Sequence, residues 1–171
     1  MSKNMTIRDY RPADLDQVLD LVRELERELA VKFRGVSVKS SVDDYRERFL
    51  NPANKYKTFV AEFRERLVGF LLGYPSLGSP EADAMYDVLP FPKHEHPPEF
   101  YIHMVFVDRP FRKKGVSTQL HERAIAYAKE QGFKEIYACI AKWNDPELRV
   151  VHALDFKAKD LRHRYRLSLK L

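Results

Sequence analysis

The spacing of apolar and polar residues divides the first part of the chain into short strands and helices. Residues 6–10 alternate in the manner of a strand, and Pro12 marks the start of a helix. That helix carries its apolar residues on one face: Leu15, Val18, Leu19, Val22, Leu25 and Leu29. Residues 42–50 predict a second short helix, and residues 57–63 and 67–74 predict two strands joined as a hairpin.

The second part of the chain continues this alternation. Residues 99–107 form a nearly continuous apolar and aromatic run, typical of a strand that is buried on both faces. A helix follows over residues 115–131, and Gly132 is placed to end it in the left-handed conformation. The remaining predicted elements are a strand at 136–141, a short helix at 146–154 and a half-buried strand at 161–171. The element order β-α-α-β-β-β-α-β-α-β predicts an α/β fold.

A long proline-rich segment interrupts the pattern at residues 75–98. It holds six of the ten prolines, which predicts a constrained loop, and such loops in compact domains are commonly lids or binding loops. From residue 75 to residue 99 the chain carries five acidic residues and one basic residue, a net charge of −4. Since the whole chain carries +5, the rest carries +9, so we expect an acidic loop and a separate basic region. Solvated surface charge without a role is the alternative.

Length and composition favour one globular domain, residues 1–171. Hydrophobic residues make up 44% of the chain and charged residues 32%, which excludes disorder for most of it. No apolar run approaches the roughly 18–20 residues that a membrane span requires, and the polar start predicts no secretory signal, so we expect a cytoplasmic protein without a membrane partner. The single cysteine, Cys139, excludes an internal disulfide, and His94 and His96 are interpreted as solvated loop residues. We therefore expect no metal site.

Candidate chemistry lies directly after the strand that ends at Val107. Residues 108–118 form a basic turn with one glycine, Gly115, that leads into a helix. The N–H groups of a helix's first turn have no partner within the helix, and the helix dipole adds a favourable potential for anions. Glycine lets the backbone approach a phosphate closely, and residues 112–114 add charge-assisted contacts. The segment predicts a phosphate site, with a basic helix start on a solvent-exposed face as the alternative. The Walker A and dinucleotide glycine patterns are absent from the sequence.

These residues resemble the first signature of the GNAT superfamily of acetyl-coenzyme A-dependent N-acetyltransferases. In that signature a strand ends in Val, five residues lead to Arg or Gln, and x-x-Gly-x-Gly or Ala follows. Val107, Arg112 and Gly115 occupy the first three positions, and Ser117 departs at the last. Because serine is small and keeps its backbone N–H, we expect the turn to be preserved.

A second signature of the family begins with Asn and ends in Gly-Phe about eleven residues later. Asn144 and Phe156 match its two ends, and Asp155 replaces the glycine. The resemblance covers essentially the whole chain, including the element order and residues 7–14. It implies the GNAT acyltransferase fold, which is a central mixed, mostly antiparallel sheet with a splayed pair of central strands, flanked by helices.

The resemblance also implies how acetyl-coenzyme A binds. The pyrophosphate is expected on the turn and on the first turn of the helix, formed by Arg112, Lys113, Lys114, Gly115, Val116, Ser117 and Thr118. The pantetheine arm is expected to add like a β-strand to the end of the central strand, where backbone N–H would polarise the thioester carbonyl. The strand residues concerned are Val105, Phe106 and Val107. Asn144 is expected to approach the arm from the next strand.

Acetylation of an amine requires a proton acceptor, because an amine reaches the site mostly as an ammonium ion. Glu99, Tyr101 and His103 share one face of the central strand by its two-residue period and are the candidate bases. A satisfied core residue is the alternative for His103. Many family members place a Tyr general acid seven residues after the Asn, where this chain has Val151. Either the neighbouring His152 or a tyrosine from elsewhere replaces it, or the thiolate leaves unaided.

The combined pattern predicts an N-acetyltransferase that moves an acetyl group from acetyl-coenzyme A to a primary amine by direct attack in a ternary complex. The alternative is a catalytically weak coenzyme A-binding module, favoured by Val151, Asp155 and Ser117. A nucleic-acid binder is disfavoured, since no aromatic and basic residues interleave as in single-strand binders.

The acceptor partner is a small-molecule or peptide amine, open among polyamines, arylalkylamines, antibiotics, protein N-termini and lysines. The loop at 75–98 is expected to border its site and to favour cationic amines. The sequence does not define the oligomeric state, and a homodimer stays open.

Overall fold

The computed structural model describes residues 5–32, 45–51, 56–76 and 99–171, and the structural statements below concern these ranges. They contain seven strands: Met5–Asp9 (β1), Lys57–Phe63 (β2), Arg66–Ser76 (β3), Glu99–Val107 (β4), Glu135–Ala141 (β5), Lys157–Leu161 (β6) and Arg164–Lys170 (β7). They also contain three α-helices: Leu15–Lys32 (α1), Val116–Glu130 (α2) and Asp145–Ala153 (α3). Shorter turns are 3-10 helix at Pro12–Asp14 and Arg109–Phe111, and π-helix at Tyr45–Phe49.

The strands form one sheet in the order β1-β2-β3-β4-β5-β7-β6. β4 and β5 run parallel, whereas the pairs β1–β2, β5–β7 and β6–β7 are antiparallel. This mixed, mostly antiparallel sheet with its helices confirms the predicted fold class. The described residues divide into two compact units. The first holds the residues up to Leu72 and Met104–Arg123, and the second holds Gly73–His103 and Ala124–Leu171.

The core of the first unit is built on the apolar face of α1. Val18 and Val22 are fully buried in one cluster with the aromatic rings of Phe70 and Phe106. Leu25 packs at the edge of this cluster. The predicted helix face is therefore confirmed, and the end of β4 is anchored in the same core as α1.

An ion-pair network fixes the start of α1. Arg8 of β1 donates hydrogen bonds to Asp14 at 2.7 and 2.9 Å and to Glu62 at 2.6 Å. The backbone N–H of Arg11 donates to Asp14 at 2.7 Å. The hydrogen bonds from Arg8 lower the pKa of Asp14 although burial acts in the opposite direction.

The core of the second unit surrounds Phe100 of β4. Its ring is fully buried and lies 5.6 Å from the ring of Tyr127 and 5.5 Å from that of Phe133. Gly73 of β3 makes this packing fit, because a Cβ added there would lie 2.5 Å from the Phe100 ring. The glycine is thus required by a close approach within the sheet.

The prediction of a single C-terminal strand at 161–171 is wrong, both in the bounds of the strand and in the number of strands. The segment from Lys157 onward forms two strands, β6 and β7, around a turn in which Arg162 has φ 60°. All of β6 except Leu161 is exposed, so this edge strand lacks the apolar alternation that identifies strands. Its turn also lacks the Gly, Asn or Pro that usually signals one.

Other boundaries hold more closely. The hairpin between β2 and β3 is confirmed, and its turn places Arg64 and Glu65 at φ 50° and 65°, as two-residue hairpin turns require. Gly132 ends α2 at φ 77°, as predicted.

Pro75 and Ser76 belong to β3 rather than to the predicted loop, and residues 77–98 lie outside the described ranges. Of the helix predicted at 42–50, the described part is the single π-helical turn. No helix in the described ranges is long and apolar enough to cross a membrane.

Candidate active site

The basic turn between β4 and α2 bends through two residues with positive φ. Lys113 and Gly115 both adopt left-handed conformations, with φ 60° and 77°. α2 begins at the next residue, and the N–H of Gln119 donates to the carbonyl of Gly115 at 3.1 Å. A Cβ added at Gly115 would meet only the side chain of Gln119, at 3.9 Å. The outer surface of the turn is therefore open where a bound anion would approach.

Arg112 is attached to the protein at three points. Its Nε–H donates to the carbonyl of Val107 at 2.7 Å, and its guanidinium donates to Glu28 of α1 at 2.7 Å. The same guanidinium lies 5.4 Å from the centre of the Phe106 ring. Arg109 also donates to Glu28, at 3.1 Å. The side chain predicted to lie near the pyrophosphate is thus directed back toward β4 and α1.

The other residues of the predicted pyrophosphate site differ in exposure. Lys113 and Lys114 are exposed, and the Lys114 ammonium lies 5.4 Å from the Phe111 ring. Ser117 and Thr118 are half-buried, and Val116 is buried in the core. The two lysines therefore add accessible cations to the turn beside Arg112, which is also exposed. The fully buried His121 donates from Nδ1 to the carbonyl of Ser117 at 2.9 Å, a support that the sequence analysis missed.

Burial along β4 changes before the turn. Residues 103–105 are half-buried, whereas the prediction placed the whole strand in the interior. Two glycines of β3 allow a close approach to β4. A Cβ at Gly69 would lie 2.8 Å from the carbonyl oxygen of Phe106, and a Cβ at Gly73 would lie 2.7 Å from that of Tyr101.

The parallel pairing of β4 and β5 also stops short of the strand ends. It runs from Glu99–Glu135 to Ile102–Ala138, although β4 continues to Val107 and β5 to Ala141. On its other edge β5 pairs with β7 along its whole length, from Glu135 to Ala141. Within the pairing of β4 with β5, Tyr101 lies directly opposite Tyr137, and the centres of their rings are 4.9 Å apart.

Two of the candidate bases lie together in an aromatic cluster of the second unit. The ring of His103 is 5.9 Å from that of Tyr101 and 6.0 Å from that of Tyr74. Tyr74 and Tyr101 themselves are 5.2 Å apart, and Tyr101 is 7% exposed. His103 is half-buried. The structure therefore brings His103 and Tyr101 into ring contact on one face of the sheet.

The third candidate base, Glu99, is engaged by an arginine that the sequence analysis missed. Arg166 of β7 donates to Glu99 at 2.8 Å and to Glu135 at 2.9 Å, and its guanidinium lies 3.7 Å from the centre of the Tyr137 ring. Burial alone would lower the pKa of Arg166, but the hydrogen bonds to the two carboxylates raise it. One half-buried cation therefore pairs with both carboxylates.

The start of α3 holds Asn144. Its N–H donates to Ala141 at 2.9 Å, and its side chain does not cap the helix. Val151, at the position where the family has its tyrosine, is fully buried, whereas His152 is exposed in the last turn of α3. Within the described ranges no group of three or more His, Cys, Asp or Glu side chains is arranged to hold a metal ion.

Comparison with known proteins gives a family. The family model described as acetyltransferase (GNAT) family matches residues 20–156. Because this match covers well over half of the chain, the protein belongs to the acetyltransferase (GNAT) family, which confirms the resemblance drawn from the two signatures. A search of curated proteins gives no match.

Solved structures share the fold at low sequence identity. A GCN5-related N-acetyltransferase from Kribbella flavida has 17% identity and a TM-score of 0.76, with both chains fully covered. The GNAT domain of S. lividans PAT has 14% identity and a TM-score of 0.73, covering 96% of this chain and 89% of that one. NAA60 of Arabidopsis thaliana, solved in complex with acetyl-CoA, has 16% identity and a TM-score of 0.68, covering 98% of each chain. At these identities the likeness shows the fold alone.

Proposed function

We propose that this protein is an N-acetyltransferase that moves an acetyl group from acetyl-coenzyme A to a primary amine by direct attack in a ternary complex. Membership of the acetyltransferase family supports the transfer of an acetyl group. The observation that carries the proposal is the turn before α2, in which Lys113 and Gly115 take left-handed conformations. We also propose that residues 1–171 act as one domain, since the family match runs through residues of both compact units.

The turn fits the pyrophosphate of coenzyme A. Its backbone is open at Gly115, two exposed lysines flank the bend, and the N-terminus of the 15-residue helix α2 adds a positive potential. We assign the pyrophosphate to the backbone amides of residues 113–118. We assign the pantetheine arm to residues 105–107 at the end of β4. The complex of NAA60 with acetyl-CoA supports this choice of ligand.

The chemistry divides between the ligand and the chain. Acetyl-coenzyme A supplies an acetyl group that is activated as a thioester. The chain supplies backbone N–H groups near residues 105–107, at the end of β4, to polarise the carbonyl. The register of β4 with β5 ends before these residues, at Ile102. It also holds the amine and the acyl carbon in one site, which lowers the entropic barrier to attack.

We assign the role of proton acceptor to His103. Among the three candidates on β4, Glu99 is paired with Arg166 and Tyr101 is 7% exposed. His103 is half-buried and is therefore more accessible than Tyr101; its ring lies beside those of Tyr74 and Tyr101. Neutral imidazole would accept the proton directly or through one water molecule.

The proton donor for the thiolate is less critical. Val151 is buried and cannot donate a proton, so α3 offers only the exposed His152. A thiol has a pKa of about 8.5 by analogy with cysteine, which makes the thiolate a good leaving group near neutral pH. We therefore propose that His152 gives at most a modest acceleration.

The second candidate function is a coenzyme A-binding module with weak catalysis. It is favoured by the buried Val151 and by the engagement of Glu99 with Arg166. Both functions predict that acetyl-coenzyme A raises the thermal unfolding midpoint. Only the enzyme releases thiol when an amine is added. A panel of a polyamine, an arylalkylamine, a peptide N-terminus and a lysine peptide, assayed for thiol release and for the acetylated product, distinguishes the two.

A further inference from the structure

Glu28 of α1 joins the two arginines that bracket the start of the coenzyme A-binding turn. One of its carboxylate oxygens, Oε1, accepts from Arg109 at 3.1 Å and from Arg112 at 2.7 Å. The Glu28 side chain is 20% exposed, against 39% for Arg112 and 70% for Arg109. This partly buried carboxylate thus binds both arginines, which follow it by 81 and 84 residues in the sequence.

Arg112 transmits this contact to β4. While Glu28 holds the Nη2 end of the guanidinium, Nε–H donates to the carbonyl of Val107, the last residue of the strand. The guanidinium also lies against the Phe106 ring, which is 5% exposed in the core beneath α1. A planar guanidinium held at these points fixes its direction and with it the backbone at the start of the turn.

The charge of Glu28 is stable at neutral pH. Burial would raise the pKa of this carboxyl, but the hydrogen bonds and charges of Arg112 and Arg109 outweigh burial and lower it. The contact between α1 and the turn therefore consists of charge-assisted hydrogen bonds, which are stronger than neutral ones.

We propose that Glu28 is a positioning residue for coenzyme A, acting through Arg112 to hold the turn in its binding conformation. Arg112 braces the turn, and the phosphates bind to the backbone amides of the turn and to Lys113 and Lys114. This inference rests on the proposed function, because it concerns the same site. It gives α1 a part in recognition of the acyl donor.

Two effects of removing Glu28 oppose each other. Loss of a negative charge near an anion site favours anion binding, and loss of the brace disfavours it. The charge effect is screened over about 10 Å at 0.1 M salt, whereas the partly buried, hydrogen-bonded pair of Glu28 and Arg112 is screened less. We expect the loss of the brace to dominate, so Glu28→Gln weakens coenzyme A binding at moderate salt.

A matched variant on the same helix isolates the charge effect. Glu24 lies one turn earlier on α1 and pairs with Arg27. Glu24→Gln removes the same charge and leaves the brace intact. Calorimetry with coenzyme A at 0.15 M salt is expected to give wild-type affinity for Glu24→Gln, and affinity reduced about tenfold for Glu28→Gln. Amide hydrogen exchange without ligand is expected to be faster at residues 113–118 in Glu28→Gln only.

A double variant tests the route of action. If Glu28 acts through Arg112, then Glu28→Gln combined with Arg112→Gln binds coenzyme A no more weakly than Arg112→Gln alone. Additive losses would overturn the role of Arg112, and wild-type or tighter binding by Glu28→Gln would overturn the inference while the proposed function stands. Absence of coenzyme A binding by the wild-type protein would overturn the proposed function and this inference with it.

Discussion

Two glycines of this chain make a matched pair for testing the phosphate site. Gly115 in the basic turn and Gly132 at the end of α2 both have φ 77°. A Cβ at Gly115 would meet one flexible side chain at 3.9 Å, and a Cβ at Gly132 would meet nothing within 4 Å. An L-residue at either position therefore experiences nearly the same backbone strain, and its Cβ makes no steric clash. Only at Gly115 is the carboxylate of a glutamate beside the proposed pyrophosphate.

The expected loss of stability is the same for both variants. An L-residue in the left-handed conformation costs about 1–2 kcal/mol relative to glycine. For a chain of this size, each kcal/mol lowers the unfolding midpoint by roughly 2–4 °C, so each variant should unfold about 2–8 °C below wild type. Gly115→Ala and Gly132→Ala should show similar shifts, because the strain comes from the backbone.

The expected loss of binding is confined to Gly115→Glu. A carboxylate about 5 Å from one phosphate charge costs roughly 1–3 kcal/mol, depending on how strongly solvent screens the pair. This corresponds to about 5- to 150-fold weaker binding of coenzyme A. Gly115→Ala lacks the charge and should bind more tightly than Gly115→Glu.

Calorimetry with coenzyme A and thermal unfolding of the ligand-free proteins together test this reasoning. We expect Gly132→Glu to bind as wild type does and Gly115→Glu to bind weakly while remaining folded. Wild-type affinity in folded Gly115→Glu would refute the assignment of the pyrophosphate to this turn. An equal loss in Gly132→Glu would show that the effect is one of folding and not of the site.

Three further predictions follow from other contacts. His103→Gln should lower kcat by about 10²-fold, remove the acid limb of the pH–rate profile and leave coenzyme A affinity unchanged; loss of stability with an unchanged rate would make His103 a core residue. Arg166→Met leaves Glu99 and Glu135 without their shared cation, so we expect about 1–3 kcal/mol lower stability by urea unfolding and partial recovery on adding Glu99→Gln. The lowered pKa of Asp14 means that its stabilisation is complete above its ordinary pKa of 3.8 and is lost as pH falls below it, so urea unfolding of Asp14→Asn should depend less on pH between 5 and 2 than that of wild type.

The central segment of the fold could be predicted because local patterns determine it. The apolar run of β4, the basic turn with Gly115 and the stop at Gly132 each carry a short-range signal, and the structure places all three as expected. β6 could not be predicted, because an exposed edge strand of Lys, Ala and Asp has no buried face and hence no alternation. The half-buried stretch at residues 103–105 of β4 could not be predicted either, because a continuous apolar run does not indicate which of its residues are less buried.

The ion pairs of the site were not predictable for a different reason. Glu28 and Arg112 are 84 residues apart, and Glu99 and Arg166 are 67 residues apart. From the sequence alone, each of these side chains would be expected to face solvent, because charged residues are common on the exposed faces of helices and half-buried strands. Only the fold decides which carboxylate each arginine meets. Sequence alone therefore identified the residues of the turn and missed the contacts that orient Arg112.

The most direct test of the proposed activity is a coupled measurement on the full chain. Acetyl-coenzyme A is incubated with the wild-type protein or Gly115→Glu and with each amine of the panel, and free thiol and acetylated amine are quantified together. We predict that at least one primary amine gives thiol release by the wild type in equal amount to acetylated product, and that Gly115→Glu at the same donor concentration gives far less of both. Binding of acetyl-coenzyme A by the wild type without amine-dependent thiol release for any amine would contradict the enzyme and favour the binding module.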